Sequence, residues 1–403
     1  MTPAMGLWAI FETACYPVAQ VLLLCLVGAV LASRRVNKFS PDARKHLNHM
    51  VFLVFTPALV FVNLGPAATI AALWQWWFLP FSVLINTILG ACLGYLVVAL
   101  TKPPPHLVRL TVACCAVGNM SNLPLVLIGA ICSNSGAVFG PECSSQGLAY
   151  SSYGMVMGVI AMWVFAYPYL EPPHETDELL NSLCHHRFES NDDRGLSPGL
   201  QATRDVVNSS TEPFADERIR GGPKCWEWQS FLGRQRWDRI ITPPVSGVIC
   251  AILVGAISPL KSALFGPNAR FKLLTDVIVN LAAAMTPCMM LVLGGNIAEG
   301  PRASALKAQT ILGIGCVRLI VLPVLGIGVL KCADALSLLP PNDPLFRFVV
   351  LLLSAMPTTH NIGIAATMHG TRELETSALL FWSYLASTLT IPVFMMLFLY
   401  YLL

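Results

Sequence analysis

Two short runs put proline, glycine and hydrogen-bonding side chains into sequence that is otherwise apolar enough to span a bilayer. The first is Val117-Gly118-Asn119-Met120-Ser121-Asn122-Leu123-Pro124, and the second is Ala355-Met356-Pro357-Thr358-Thr359-His360-Asn361-Ile362-Gly363. Asn119, Ser121, Asn122, Thr358, Thr359 and Asn361 supply neutral donors and acceptors, and His360 adds a ring that can change charge near neutral pH. These groups suit the holding of a small polar or anionic molecule. A third candidate is Arg318, inside the apolar stretch Gly315-Cys316-Val317-Arg318-Leu319. Charged side chains at membrane depth are costly and usually functional. As a direct ligand, Arg318 would favour organic anions over neutral analogues of the same shape. The competing reading is an arginine that snorkels towards the interface.

The elements that must position these groups are interrupted helices. A broken helix in hydrocarbon exposes backbone groups, so it survives only when buried in protein or lining a cavity. Proline fits the first turn of a helix, where no donor is wanted. Pro124 and Pro357 are therefore each expected to begin a second half-helix. The free amides and positive dipole ends of such half-helices favour anions. For either run alone, a kinked helix packed by small residues would serve as well. A matched pair in two halves of a chain points instead to a transporter's substrate site.

Composition agrees with a membrane protein. Apolar residues make up 55% of the 403, charged residues 12%, and the mean hydropathy is +0.65, against about 25% charged in an ordinary soluble domain. The charges are concentrated: 22 of the 47 Asp, Glu, Lys and Arg residues lie between Glu171 and Arg239. A hydrocarbon core needs about 20 apolar residues per helix. Ten stretches meet this, at roughly 15–33, 47–66, 76–100, 107–132, 146–169, 240–259, 273–296, 308–331, 346–369 and 376–401. The expected fold is all-α: ten transmembrane helices as two inverted five-helix repeats, with broken fourth and ninth helices. The expected units are a first repeat over 1–170, a hydrophilic, mostly disordered loop over 171–237, and a second repeat over 238–403. Trp226, Trp228, Phe231 and Trp237 read as an interfacial anchor near the end of that loop.

The basic cluster Arg34, Arg35, Lys38, Arg44 and Lys45 follows the first apolar run, which argues against a cleavable signal peptide. By the positive-inside rule the cluster is cytosolic. Alternation then puts the 171–237 loop in the cytosol and both termini on the other side. Lys261, Arg270 and Lys272 count against this scheme; the absence of Lys and Arg from 133–145 supports it. Two markers suggest a repeat. Phe55-Thr56-Pro57-Ala58 has a counterpart in Met285-Thr286-Pro287-Cys288 at a shift of 230, and Pro124 and Pro357 are 233 apart. Five spans per half is an odd number, so the second half inserts upside down relative to the first.

Other classes find little support. A net charge of +3 is too small to suggest a nucleic-acid partner. No nucleophile–base pair or phosphate loop indicates an enzyme, and no cofactor is implied. Most of the 13 cysteines lie in apolar runs, where a thiol behaves as a small apolar group. Cys184-His185-His186 lacks the further ligands a zinc site needs. Cys132 and Cys143 flank one short loop and can pair if it faces an oxidising lumen. No Asp or Glu lies deep in a span, which disfavours coupling through sodium or a buried carboxylate relay and leaves organic anions as the substrate class.

The Gly118-Asn119-Met120-Ser121-Asn122-Leu123-Pro124-Leu125 run resembles the GNxGNLPL-type segment of the PIN-LIKES proteins of plants and algae, within the wider auxin efflux carrier family. Met356-Pro357 with Asn361-Ile362-Gly363, Phe55-Thr56-Pro57-Ala58-Leu59 and Gly147-Leu148-Ala149-Tyr150 are similar to segments of the same family. Ser121 and Thr358-Thr359-His360 depart from the pattern. The resemblance implies helices that cross at their breaks near the membrane centre. It also implies elevator-like transport of indole-3-acetic acid or a related carboxylate, often at the endoplasmic reticulum membrane. Asn119, Ser121, Asn122, Pro124, Arg318, Pro357, Thr359, His360 and Asn361 form the expected substrate site, with no metal. Expected partners are a small organic anion and membrane lipid; a homodimer stands as an option. Two alternatives stay open. One is a sodium- or proton-coupled symporter for bile-acid-like anions, which a sodium requirement would reveal. The other is a non-transporting sensor on a carrier scaffold, which would be expected to append a folded domain.

Overall fold

The computed structural model describes residues 7–33, 35–120, 122–171, 242–266, 269–298 and 306–402. The expected hydrophilic loop, apart from Glu171, lies outside the described residues. So do Cys184-His185-His186, the four aromatic residues near the loop's end, Arg34 and Ser121.

The regular secondary structure among the described residues is helical, apart from one isolated bridge taken up below. The first half runs α1 (Leu7–Ala32), α2 (Pro41–Leu64), the short α3 (Ile70–Gln75), α4 (Phe78–Thr101), α5 (Pro105–Ala116), α6 (Asn122–Phe139) and α7 (Cys143–Tyr169). The second runs α8 (Pro243–Ala256), α9 (Ser258–Phe265), α10 (Lys272–Ala298), α11 (Ala308–Ala335), α12 (Pro344–Ser354), α13 (Asn361–Met368) and α14 (Glu373–Leu402). Six of these helices are individually long and apolar enough to cross a bilayer, or seven if α8 and α9, bent by 106°, count as one span. The fourth and ninth expected spans are each divided in two, into α5 with α6 and α12 with α13.

Prolines shape three of the long helices. A proline ring inside a helix clashes with the carbonyl four residues earlier. In α2, α7 and α11 a π-helical turn covers that carbonyl: Val51–Phe55 before Pro57, Ala161–Ala166 before Pro168 and Val317–Val321 before Pro323. Such turns admit an extra residue and commonly mark functional positions. Pro287 in α10 and Pro392 in α14 have no such turn. The Thr-Pro pair shared by α2 and α10 is therefore handled differently in each.

The stretches on either side of residues 172–240 pack into one compact unit. Within it α1 and α10 make the closest approach. A Cβ on Gly28 would overlap the carbonyl of Leu291, and one on Gly294 would overlap that of Cys25. Small residues of this kind let membrane helices meet backbone to backbone, where van der Waals packing replaces the missing hydrophobic drive. A second set, α4 to α7 with α11 to α14, surrounds the two breaks. At one end of this set Arg372 donates through Nε to the His106 carbonyl at 2.7 Å and through Nη1 to that of Leu170 at 2.8 Å. At another, Arg347 pairs with Asp334 at 2.7 Å, Tyr150 donates to Asp343 Oδ2 at 2.7 Å, and a disulfide joins Cys132 to Cys143. That bond closes the possibility left open by the spacing of the two cysteines.

Candidate functional site

The break between α5 and α6 and the break between α12 and α13 meet. Gly118 and Thr358 form an antiparallel bridge, the Asn119 amide donates to the Pro357 carbonyl at 2.8 Å, and the Thr359 amide donates to the Val117 carbonyl at 3.1 Å. The pairing answers a physical need. Each break frees backbone groups that hydrocarbon cannot satisfy, and each supplies the other's partners.

The prolines behave unequally. Pro124 lies in the first turn of α6, as expected. Pro357 does not begin a helix: α13 starts at Asn361, and Pro357 sits in the extended segment where its carbonyl is a bridge acceptor. A proline's carbonyl is as good an acceptor as any, and its missing N–H costs nothing in a pairing this short.

Arg318, from the π turn of α11, is fully buried. Its Nη1 donates to the carbonyls of Cys115 at 3.3 Å and Ala116 at 3.5 Å, and its Nη2 to that of Met356 at 2.7 Å, while Nε has no partner. The guanidinium thus lies against the carbonyl end of α5 and the Met356 carbonyl beyond α12. Gly118 provides the space, because a Cβ there would overlap Nη2.

Around the pairing is a buried polar network. Thr358 Oγ1 donates to the Cys114 carbonyl at 3.0 Å, and the Asn361 amide donates to Thr359 Oγ1 at 3.3 Å. Asn119 Nδ2 donates to the Tyr384 hydroxyl of α14 at 2.8 Å, and that hydroxyl lies 3.4 Å from His360 Nδ1. With Tyr384 directing its O–H at His360 Nδ1, the neutral ring carries its proton on Nε2; with the ring donating from Nδ1, Nε2 is an acceptor. His360 Nε2 and Asn361 Oδ1 are buried and have no partner. Buried polar atoms are nearly always hydrogen-bonded, so these two atoms, on neighbouring residues at the start of α13, are left able to take a further partner.

Of the expected site residues, Asn119, Pro357, Thr359, His360 and Asn361 gather at the crossing; Asn122 and Pro124 open α6 beside it, and Arg318 lies behind it. Sequence reasoning missed Tyr384. Its signal was a phenol in an apolar helix, which needs a partner when buried. It also missed Asn86, a buried residue of α4 that lines a small cleft with Ser82, Gly326 and Ser354.

Residues 13–395 match a family described as membrane transport protein. The range includes both breaks, Arg318 and Tyr384. Protein PIN-LIKES 7 of Arabidopsis thaliana is 36% identical over 98% of this chain and 99% of its own length. Protein PIN-LIKES 5 is 34% identical over 98% and 99%, and Protein PIN-LIKES 6 is 33% identical over 96% and 92%, both from the same plant. With these relatives and its long apolar helices, the protein is a multi-pass membrane carrier and not an enzyme. The chain belongs to the membrane transport protein family, in its PIN-LIKES branch.

Proposed function

We propose that this carrier moves an organic carboxylate anion, indole-3-acetate or a similar aromatic acid, across an intracellular membrane. The observation that supports this most is the pair of buried, unpartnered atoms on His360 and Asn361 at the crossing. His360 offers an N–H at Nε2. A half-turn of the Asn361 terminal amide presents Nδ2 in place of Oδ1, giving a second donor. The positive end of α13 adds its dipole. Two neutral donors and a helix N-terminus suit a carboxylate, and they do so without a permanent charge that would hold the anion too tightly to release. Asn119, Ser121, Asn122, Pro124, Pro357 and Thr359 complete the site in this reading.

The reading includes a layout of ten membrane helices in two inverted repeats, with residues 171–237 cytosolic and both termini lumenal at the endoplasmic reticulum. The Cys132–Cys143 disulfide supports a lumenal 133–142 segment, since disulfides persist in oxidising compartments. Movement would be elevator-like. The helices around the crossing, braced by Arg318, Arg347 and Arg372, would slide as a body against α1, α2, α8 and α10. The Asn48–Thr367 hydrogen bond of 2.9 Å joins α2 to α13 and would have to exchange during that movement.

Uptake of radiolabelled indole-3-acetate into proteoliposomes tests the substrate class, with competition by a panel of acids and amides and with sodium or potassium gradients. Saturable uptake that acids compete for and that persists in potassium is the expected result. A strict sodium requirement, or competition by amides as strong as by acids, would overturn the reading.

A further inference from the structure

Arg318 poses a charge problem. A guanidinium stays ionised in any protein environment, and an isolated buried charge is prohibitively costly. Among the described residues no carboxylate reaches it; its hydrogen bonds all go to backbone carbonyls. Those carbonyls are special. Cys115 and Ala116 close α5, where the last carbonyls lack intrahelical donors, and Met356 lies two residues beyond the end of α12. Such a helix end carries roughly half an elementary negative charge. The end of α5 therefore offsets part of the guanidinium's charge, and the Met356 carbonyl beyond α12 adds a further fixed dipole.

This has a consequence for the substrate. A cation whose hydrogen bonds go to fixed carbonyl dipoles has less attraction left for a mobile anion, and its Nη atoms are taken up by the carbonyls of Cys115, Ala116 and Met356. The repeat offset sharpens the point. Asn86 precedes Arg318 by 232 residues, and Gly94 precedes Gly326 by the same number, close to the 230 and 233 of the proline markers. At the corresponding place in the first half, then, the chain has a neutral amide beside Ser354 at the end of α12. One cation serves both breaks, and Gly118 is the residue that makes room for it.

We propose that Arg318 is a positioning residue for the carrier: it ties the carbonyl end of α5 to the Met356 carbonyl beyond α12 and so fixes the paired breaks that carry Asn119, His360 and Asn361, without touching the transported molecule. The proposal rests on the crossing being the substrate site. It replaces direct anion binding by Arg318 with an indirect role.

The test uses the full-length protein, purified and reconstituted, with Arg318→Lys, Arg318→Gln and Gly118→Ala. Three quantities are read: thermal midpoint, hydrogen–deuterium exchange of peptides spanning the two breaks, and binding of indole-3-acetate against indole-3-acetamide. Exchange at the Asn119 and Thr359 amides should rise in every variant. Both probes should lose affinity by a similar factor, roughly ten- to a hundredfold. Gly118→Ala combined with Arg318→Lys should lose no more than the worse single variant, because both disturb one contact. A loss in Arg318→Gln about tenfold larger for the acid than for the amide, with exchange unchanged, would establish a direct ligand and overturn the proposal. A lowered midpoint with full affinity in the folded fraction would also overturn it, by reducing Arg318 to general stability. Should Arg318→Gln not fold, Gly118→Ala keeps the charge and decides through the same readouts. If the wild type binds neither probe, the substrate reading fails, and the exchange comparison still decides whether Arg318 holds the breaks.

Discussion

Between α5 and α6 the chain places Gly118 against the Arg318 guanidinium, whereas the residue bridged to it from the other break is Thr358, whose hydroxyl is spent on the Cys114 carbonyl. Among the described side chains, the first break contributes space and the amide of Asn119. The second contributes a run of four buried polar residues, from Thr358 to Asn361, and the two unpartnered atoms. Their prolines differ in the same way: Pro124 lies in the first turn of a helix, while Pro357 lies in an extended segment before one. Two segments that carry similar markers thus differ: one leaves room for the guanidinium, and the other, in the proposed site, presents the donors. Neither would be stable alone, because each supplies the backbone partners of the other.

The sharpest way to break this comparison is to fill the space. Gly118→Val should displace the guanidinium from three carbonyls and destabilise the protein by about 3–5 kcal/mol, the usual cost of disrupting a buried charge's partners. A thermal midpoint in detergent that stays at the wild-type value would show that the clamp is dispensable. Asn361→Ala, on the donor side, should leave the midpoint nearly unchanged and weaken carboxylate binding roughly ten- to a hundredfold, as for a hydrogen bond to a charged group. Asn119→Ala should cost less affinity than Asn361→Ala, since its amide acts through Tyr384; equal losses measured by competition would place both on the ligand.

Finer distinctions follow. In the proposed site Tyr384 donates to His360 Nδ1 and so holds the ring proton on Nε2; Tyr384→Phe lets the ring place it on either nitrogen. Affinity should fall by a factor of about five, the worth of roughly one neutral hydrogen bond. His360→Ala should then cost less in the Tyr384→Phe background than in the wild type, and independent losses in a double-mutant cycle would contradict the coupling. The smallest effect belongs to the surface. Arg347→Ala removes a partly exposed ion pair with Asp334, which is worth about 0–1 kcal/mol, and carboxylate affinity should not change.

The breaks themselves were legible in the sequence, because glycine, proline and asparagine in apolar surroundings cannot continue a membrane helix without compensation. Residue-level roles were less so. Arg318 was visible as a charge at depth, yet its partners lie 38, 202 and 203 residues away. Pro357 was misplaced because a proline that can start a helix can equally lie in an extended strand; the pairing with Asn119 made the choice.

Local composition by itself determined that the chain enters a membrane, which stretches are apolar and where they are interrupted, since transfer of a segment into hydrocarbon depends on its own side chains. Family membership followed from the same residues. Only the tertiary structure decided that the two breaks pair, that Arg318 addresses carbonyls, that Tyr384 joins Asn119 to His360, and that Gly118 must stay small. The physical reason is the same in each case. A hydrogen-bond donor in hydrocarbon must find an acceptor, but its type and spacing do not say which of many distant acceptors the packing will bring within 3 Å or so.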